Sequence, residues 1–223
     1  MTSIVGLMPM RRGSERVVGK NTRPLCGRPL FHHALSALVD CAPIGHVVVD
    51  TDCPDVAAGV RQHFPAVQLI ERPAELCGGD VPMNEVLVHD ARLVEAELYL
   101  QTHATNPLLR SATLAAAIER FQTRAGRHDS LLSVTPVRKR FWTAAGDPLN
   151  HDPSVLLRTQ DLPPLLEENS CIYIFPRRLI LETGSRVGAS PLTFEMDPIE
   201  AWDIDDESDF AIAEALYQVH RAC

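Results

Sequence analysis

The sequence predicts an α/β fold, a mostly parallel sheet flanked by helices. Apolar, β-branched runs alternate with helical patterns along most of the chain, and such alternation builds βαβ units. The run His46–Asp50 is apolar without a break through Val47, Val48 and Val49, as strands covered on both faces are. No internal repeat interrupts this order, and 223 residues suit one domain of this class.

Strands are expected at Ile4–Met8, His46–Asp50, Val67–Ile70, Glu97–Gln101, Ser130–Val134 and Cys171–Phe175. Helices are expected at Leu30–Val39, Pro54–His63, Met83–Leu93, Ser111–Phe121 and Asp206–His220. Pro54 suits a first helical position, with Asp52 or Cys53 as the cap before it. In the last helix Ile212, Ala215, Leu216 and Val219 recur at the spacing of one buried face. Asp206 is placed to cap that helix, with Glu207 and Asp209 in the first turn, where the helix dipole favours acids. The stretch 136–168 breaks the rhythm. It holds five prolines and the basic run Arg138, Lys139, Arg140, and a segment of that length without periodicity is usually functional.

Composition narrows the function. Hydrophobic residues make up 45% and charged residues 22%, as in packed globular proteins. Lys plus Arg is 21 and Asp plus Glu is 29, a net charge of −8. That argues against a nucleic-acid partner, which needs a basic face. No apolar run approaches the roughly 20 residues that span a bilayer, and Ile4–Met8 is too short for a signal-peptide core. No membrane partner and a cytoplasmic location are expected. The six cysteines show no CxxC spacing, so plain thiols are expected rather than zinc or disulfides.

Chemistry concentrates after the first strand. Between Arg11 and Arg28 stand six basic residues (Arg11, Arg12, Arg16, Lys20, Arg23, Arg28) and one acid, Glu15. A local +5 in an acidic chain focuses its field on an anion. Gly13 and Gly19 permit sharp turns whose free N–H groups form anion nests. A loop after the first parallel strand also lies at the sheet edge where open α/β folds bind ligands. Asn21 follows Lys20, so this is no Walker motif, and no GxGxxG occurs. A solvated basic loop would share this composition.

The stretch Met10-Arg11-x-Gly13-Ser14 … Lys20-Asn21 resembles the nucleotide-binding loop of the CMP-N-acylneuraminate (sialic acid-type) cytidylyltransferases, the CMP-nonulosonate synthetase family. Its pattern runs approximately A-R-x-G-S-K-x-x-x-x-K-N; Glu15 takes the place of the first lysine, with Arg16 beside it to supply the charge. Five further matches follow in order. Asp50-Thr51-Asp52 resembles S-T-D, and Arg72-Pro73-Ala74-Glu75-Leu76 repeats R-P-A-E-L unchanged. The segment from Gln101 to Arg110 is an altered Q-P-T-S-P-L-R. Asn169-Ser170-Cys171-Ile172-Tyr173-Ile174 resembles N-G-A-I-Y-I. Ala201–Phe210 resembles S-I-D-I-D-T-E-L-D-F.

The resemblance implies a Rossmann-like nucleotide-diphospho-sugar transferase fold over residues 1–223, with 136–168 as a protruding dimerisation and substrate arm. The implied reaction joins CTP and a 2-keto-3-deoxy acid sugar into CMP-sugar and pyrophosphate. Arg11, Lys20, Asp203 and Asp205 are its expected catalytic residues. Arg11, Gly13, Ser14, Arg16, Lys20, Asn21, Asp52 and Arg72 are expected at the nucleotide. Gln101, His103, Thr105, Asn106, Arg138, Arg158, Asn169 and Tyr173 are expected at the acid sugar. Tyr173 also lies in a core-like strand, so packing competes with that role.

Asp203 and Asp205 are the implied ligands of Mg²⁺. They are expected to end a short strand, where alternation points both to one face and Ile204 to the other, and two carboxylates suit a hard cation. Capping of the last helix competes for them. The other histidines read as structural or surface residues, with no HExxH among them. Alternatives stand within and outside the family: a Kdo-type or other sugar nucleotidyltransferase, or a non-catalytic nucleotide-binding homologue, the last favoured by Glu15.

Overall fold

The computed structural model describes residues 3–13, 16–124 and 126–221. In chain order the elements begin with β1 (Ile4–Leu7), β2 (Pro24–Leu25), β3 (Arg28–Pro29), α1 (Leu30–Val39), β4 (His46–Thr51) and α2 (Pro54–His63). They continue with β5 (Gln68–Glu71), α3 (Met83–Leu93), β6 (Leu98–Gln101), α4 (Ser111–Gln122) and β7 (Ser130–Val137). The chain closes with β8 (Leu165–Pro176), α5 (Arg177–Thr183), β9 (Pro191–Glu195) and α6 (Glu207–Arg221).

The central sheet has the order β5-β4-β1-β6-β8-β7-β9. β8 alone among these strands runs against its neighbours; the pairs β5–β4, β4–β1, β1–β6 and β7–β9 are parallel. The predicted mostly parallel sheet is therefore present. Its order turns outward in both directions from β1, so the crevice beside the carboxyl end of β1 is the switch point where such sheets bind ligands.

Two cores cover the two faces. Phe31, Leu35, Val56, Val60, Leu114 and Ile118 bring α1, α2 and α4 onto one face. Leu87, Ala91 and Ile180 bring α3 and α5 onto the other, against Val5, Leu7, Val48 and Tyr99. Continuous burial of Val47, Val48 and Val49 follows from this double cover. A third cluster joins the β2–β3 hairpin to α6 through Val17, Leu25, Ile204, Phe210 and Ala213.

Four expectations need correction. The buried stripe of α6 is Phe210 and Ala213, whereas Ile212 is 42% and Val219 79% exposed; small Ala213 lets the helix approach the hairpin, and that contact sets its rotation. Asp203–Asp205 is not a strand. The Ile204 amide donates to Thr105 O, 3.0 Å, without a ladder; Ile204 is buried, and Asp203 and Asp205 both line one cavity. The ends of 136–168 are strand, since Pro136 and Val137 pair with Leu166 and Leu165. Finally, Cys41, Cys53, Cys77 and Cys171 are free thiols, but Cys26 is disulfide-bonded. Cys26 occupies the hairpin turn against α6, its amide donating to Glu214 Oε1.

Capping follows the sequence. Asp206 Oδ1 accepts from the Ser208 and Asp209 amides, and Asp209 Oδ2 accepts in return from the Asp206 amide. This reciprocal pair satisfies the orphan N–H groups at the start of α6. Cys53 occupies the cap of α2, with Pro54 at the first helical position. Among the described residues no helix is long and apolar enough to cross a membrane.

Candidate active site

Two cavities meet at the carboxyl edge of the sheet. The first, about 400 Å³, is lined by Met10, Arg11, Gly13, Arg16, Lys20 and Asn21 after β1, by Arg72 after β5, and by His103 and Thr105 after β6. The second, about 720 Å³, is lined by Thr135–Val137 from β7, Arg138 and Lys139 just after it, Glu167–Ser170 from β8, and Trp202 and Asp203. Asp205 lines both.

The first loop is built by its glycine and its lysine. Gly19 takes a left-handed φ of 63° and caps a 3₁₀ turn, Lys20–Thr22, a backbone state that costs glycine nothing. The turn aims Lys20 at the acids, and its Nζ donates to Ile204 O at 2.6 Å. Asn21 Nδ2 donates to Arg11 O at 3.2 Å, closing the loop on itself. Asp52 Oδ1 accepts from the Arg12 amide at 2.6 Å, so Asp52 shapes the loop and is not among the residues lining the cavity. Ser14 and Glu15 lie outside the described residues.

Lys20 and Asp203 explain each other. Burial lowers the Lys20 pKa, and the charges of Asp203 and Asp205 work against that. Burial raises the Asp203 pKa; a Thr105 hydrogen bond and Lys20 lower it, and Asp205 raises it again. Each group is thus held away from water with less opposite charge than it needs. A phosphate would supply it to Lys20, and a divalent cation to Asp203. Arg16 and Asp205 pair at 3.2 Å in the open mouth, both more than half exposed.

The remaining expected residues separate into lining and support. His103 and Thr105 face the first cavity, Arg138 and Asn169 the second. His103 is a neutral ring: burial foremost, then Arg186 and Lys20, lower its pKa to about 4. Gln101, Asn106 and Tyr173 are fully buried. Asn106 Nδ2 donates to Asp203 Oδ1 at 3.4 Å. The Tyr173 hydroxyl donates to Glu168, and its oxygen lies 3.2 Å from Ser170 Oγ. Gln101 Nε2 lies 3.0 Å from His103 Nε2, and its Oε1 accepts from Arg186. Arg72 lines the first cavity, but its Nε donates to Asp50 Oδ1 beneath the wall. Arg158 pairs with Asp161 at 2.7 Å on the exposed arm and lines neither cavity.

Sequence reasoning missed Arg186. Its guanidinium carbon sits 3.5 Å above the Tyr173 ring centroid, and burial lowers its pKa. It comes from a loop between α5 and β9, two elements the pattern did not reveal, and no motif marks it.

Known proteins give the site its setting. The family profile described as Cytidylyltransferase matches residues 5–222. The CMP-N,N'-diacetyllegionaminic acid synthase of Legionella pneumophila is 25% identical over 98% of this chain and 97% of its own. The N-acylneuraminate cytidylyltransferase of Oncorhynchus mykiss is 31% identical over 95% of this chain, which spans 49% of that longer protein. Among solved structures, a CMP:2-keto-3-deoxy-manno-octonic acid synthetase complexed with CTP superposes with a TM-score of 0.74. That match runs over 98% of this chain and 99% of the other at 18% identity, which establishes the shared fold.

Proposed function

The chain belongs to the cytidylyltransferase family, and from that premise we propose that it activates a nonulosonic acid of sialic, legionaminic or pseudaminic type with CTP. The carrying observation is the junction of the two cavities at Asp205, beside Lys20 and Asp203. A nucleotide in the first cavity and an acid sugar in the second bring their reacting atoms together there. The names of the relatives from L. pneumophila and O. mykiss support both substrates.

The anomeric hydroxyl oxygen of the sugar forms a bond to the α-phosphorus of CTP. The bond from that phosphorus to the β-bridging oxygen breaks, pyrophosphate leaves, and the hydroxyl proton passes to water. Such transfer depends on positioning and charge neutralisation. Arg11 and Lys20 oppose the triphosphate charge, and Lys20 regains the charge balance that burial denies it. Arg16 adds a cation at the mouth in place of the lysine pattern broken at Glu15. Gly13 presents backbone, and a Cβ added there would meet open space. Asn21, held to Arg11 O, offers its carboxamide to the base edge. Arg138 and Lys139 offer cations to the sugar carboxylate.

The donor chemistry of Asp203 and Asp205 fits Mg²⁺, since burial and mutual repulsion leave Asp203 short of positive charge. Bound there, the ion would supply charge neutralisation at phosphate oxygens. The arm supports a homodimer. Trp142, Leu149, Val155, Leu156 and Leu157 are all more than 45% exposed, Leu156 at 89%, and such a patch is characteristic of a subunit contact.

Pyrophosphate release with CTP and Mg²⁺, run against nonulosonic acids and Kdo, tests the reading. Release with a nonulosonic acid is the expected result. Release with Kdo alone would move the enzyme to the Kdo type. Absence of CTP binding would overturn the nucleotide assignment.

A further inference from the structure

Beneath the nucleotide wall lies a group of side chains that the reaction does not use. Asp50, at the end of β4, is 1% exposed, and Asp90, on the buried stripe of α3, is 0% exposed. Oxygens of the two carboxylates and a nitrogen of His89 lie within 4.8 Å of one another. Asp50 Oδ1 accepts from Arg72 Nε, but Asp50 Oδ2 and both oxygens of Asp90 have no hydrogen-bond partner as carboxylates. One guanidinium faces two buried carboxyl groups. Two negative charges there would leave one uncompensated away from water, an arrangement that drives protonation. A single proton on Asp90, donated to Asp50, satisfies the lone oxygen of Asp50 and leaves one anion for one cation.

We propose that Asp90 keeps its proton in the folded protein and shares it with Asp50, and that this buried pair fixes the Arg72 guanidinium in the wall of the nucleotide cavity. Asp90 is then a positioning residue acting through Asp50 on Arg72. Asp50 stands where the resembled S-T-D pattern has serine. The groups facing Asp90 are few. Asp50 comes from β4, Arg72 from the turn after β5, and His89 from α3, its Nδ1 3.6 Å from Asp90 Oδ1. Tyr99 of β6 is occupied with Val94 O, and Arg177 of α5 with Ala91 O. Burial first, then the Asp50 charge, raises the Asp90 pKa to about 8.

A raised carboxyl pKa has a defined signature. Between about pH 4 and pH 8 the unfolded chain releases this proton and the folded chain keeps it, so stability falls as pH rises; above pH 8 the loss levels off. Asp90→Asn donates the same hydrogen bond and does not titrate. Its Tm should exceed that of the wild type by a margin that widens from pH 5.5 to 8 and then stays constant. Equal slopes for the two proteins would show Asp90 already ionised and overturn the shared proton. A wild-type Tm raised by zinc chloride, with no such rise in Asp90→Asn, would put a metal ion there and overturn it as well.

The link to Arg72 rests on the nucleotide reading and has a separate readout. Asp90→Leu should raise KM for CTP about tenfold and leave KM for the acid sugar unchanged, and Asp90→Asn should restore CTP to within twofold. An unchanged CTP KM in Asp90→Leu would refute the positioning role. Should Asp90→Leu fail to fold, the CTP KM of Asp90→Asn decides: loss of CTP binding in that variant refutes the role. Because the Tm series contains no nucleotide, failure of the wild type to bind CTP would remove the Arg72 link and not the shared proton.

Discussion

The two cavities that meet at Asp205 are held by different means. The first is walled by the ends of parallel strands and tied by short polar links: Lys20 to Ile204 O, Asn21 to Arg11 O, Arg72 to Asp50. The second is walled by the outer ends of β7 and β8, beyond a register shift between Leu132 and Val134. Past that shift the chain carries exposed Trp142, Leu156 and Leu157. The difference teaches that the first cavity is closed by side chains bonded to its own walls, whereas the second runs into an exposed apolar surface, which on the proposed reading is the sugar side and the subunit contact.

Removing the shared carboxylate should have the largest effect. Asp205→Asn should lower turnover by about 10²–10³-fold, measured as pyrophosphate release, with an unchanged melting curve, because its pair with Arg16 is open to water. Full activity would take Asp205 out of the site. Trp142→Asp combined with Leu156→Asp should next separate the halves. Sedimentation should show a monomer and KM for the acid sugar should rise about tenfold, with CTP affinity preserved. A dimer that survives would place the subunit contact elsewhere.

Arg16→Ala should raise KM for CTP about fivefold and leave the sugar KM alone; equal CTP affinity would mean that Arg16 does not replace the missing lysine. The smallest effect concerns the base of the ribbon. Ser170 has a φ of 57°, a state strained for a side chain, and it stands where the resembled N-G-A-I-Y-I pattern has glycine. Ser170→Gly should stabilise the protein by up to about 1 kcal/mol, read from denaturant melts; a loss of stability would mean that its contact with Tyr173 outweighs the strain.

These features were unequally legible. α1, α2 and α3 occupy the residues that periodicity assigns them, because each presents a regular apolar face to the sheet. β2, β3, α5 and β9 were not visible. They span two to seven residues, too few for a period, and only pairing and packing hold them. The loop motif did bring Arg11, Gly13, Arg16, Lys20 and Asn21 to one cavity. A motif does not say which side chain reaches the cavity surface. Gln101, Asn106 and Tyr173 fall on inward positions and support their neighbours instead. One overlooked signal was present: Asp90 is an acid within the stripe of Val86, Leu87 and Ala91, and an acid on a buried stripe requires a partner.

The register shift in the β7–β8 ribbon bears on how such an enzyme acquires new substrates. Leu131 pairs with Ile174 and Leu132 with Tyr173 before the shift, so strand alignment is decided inside the sheet. Ser133 Oγ then bonds Asn169 and receives the Ile172 amide, sealing the bulge from below. Segment 138–164 hangs beyond that seal. Trp142, Leu149, Val155, Leu156 and Leu157 in it are exposed, while Leu162 is 3% exposed and anchors its end; substitutions at the exposed positions leave the buried contacts in place. On the proposed reading, a change of acceptor can be met by substitutions here, where Arg138 and Lys139 line the second cavity, with the loop from Arg11 to Asn21 left in place.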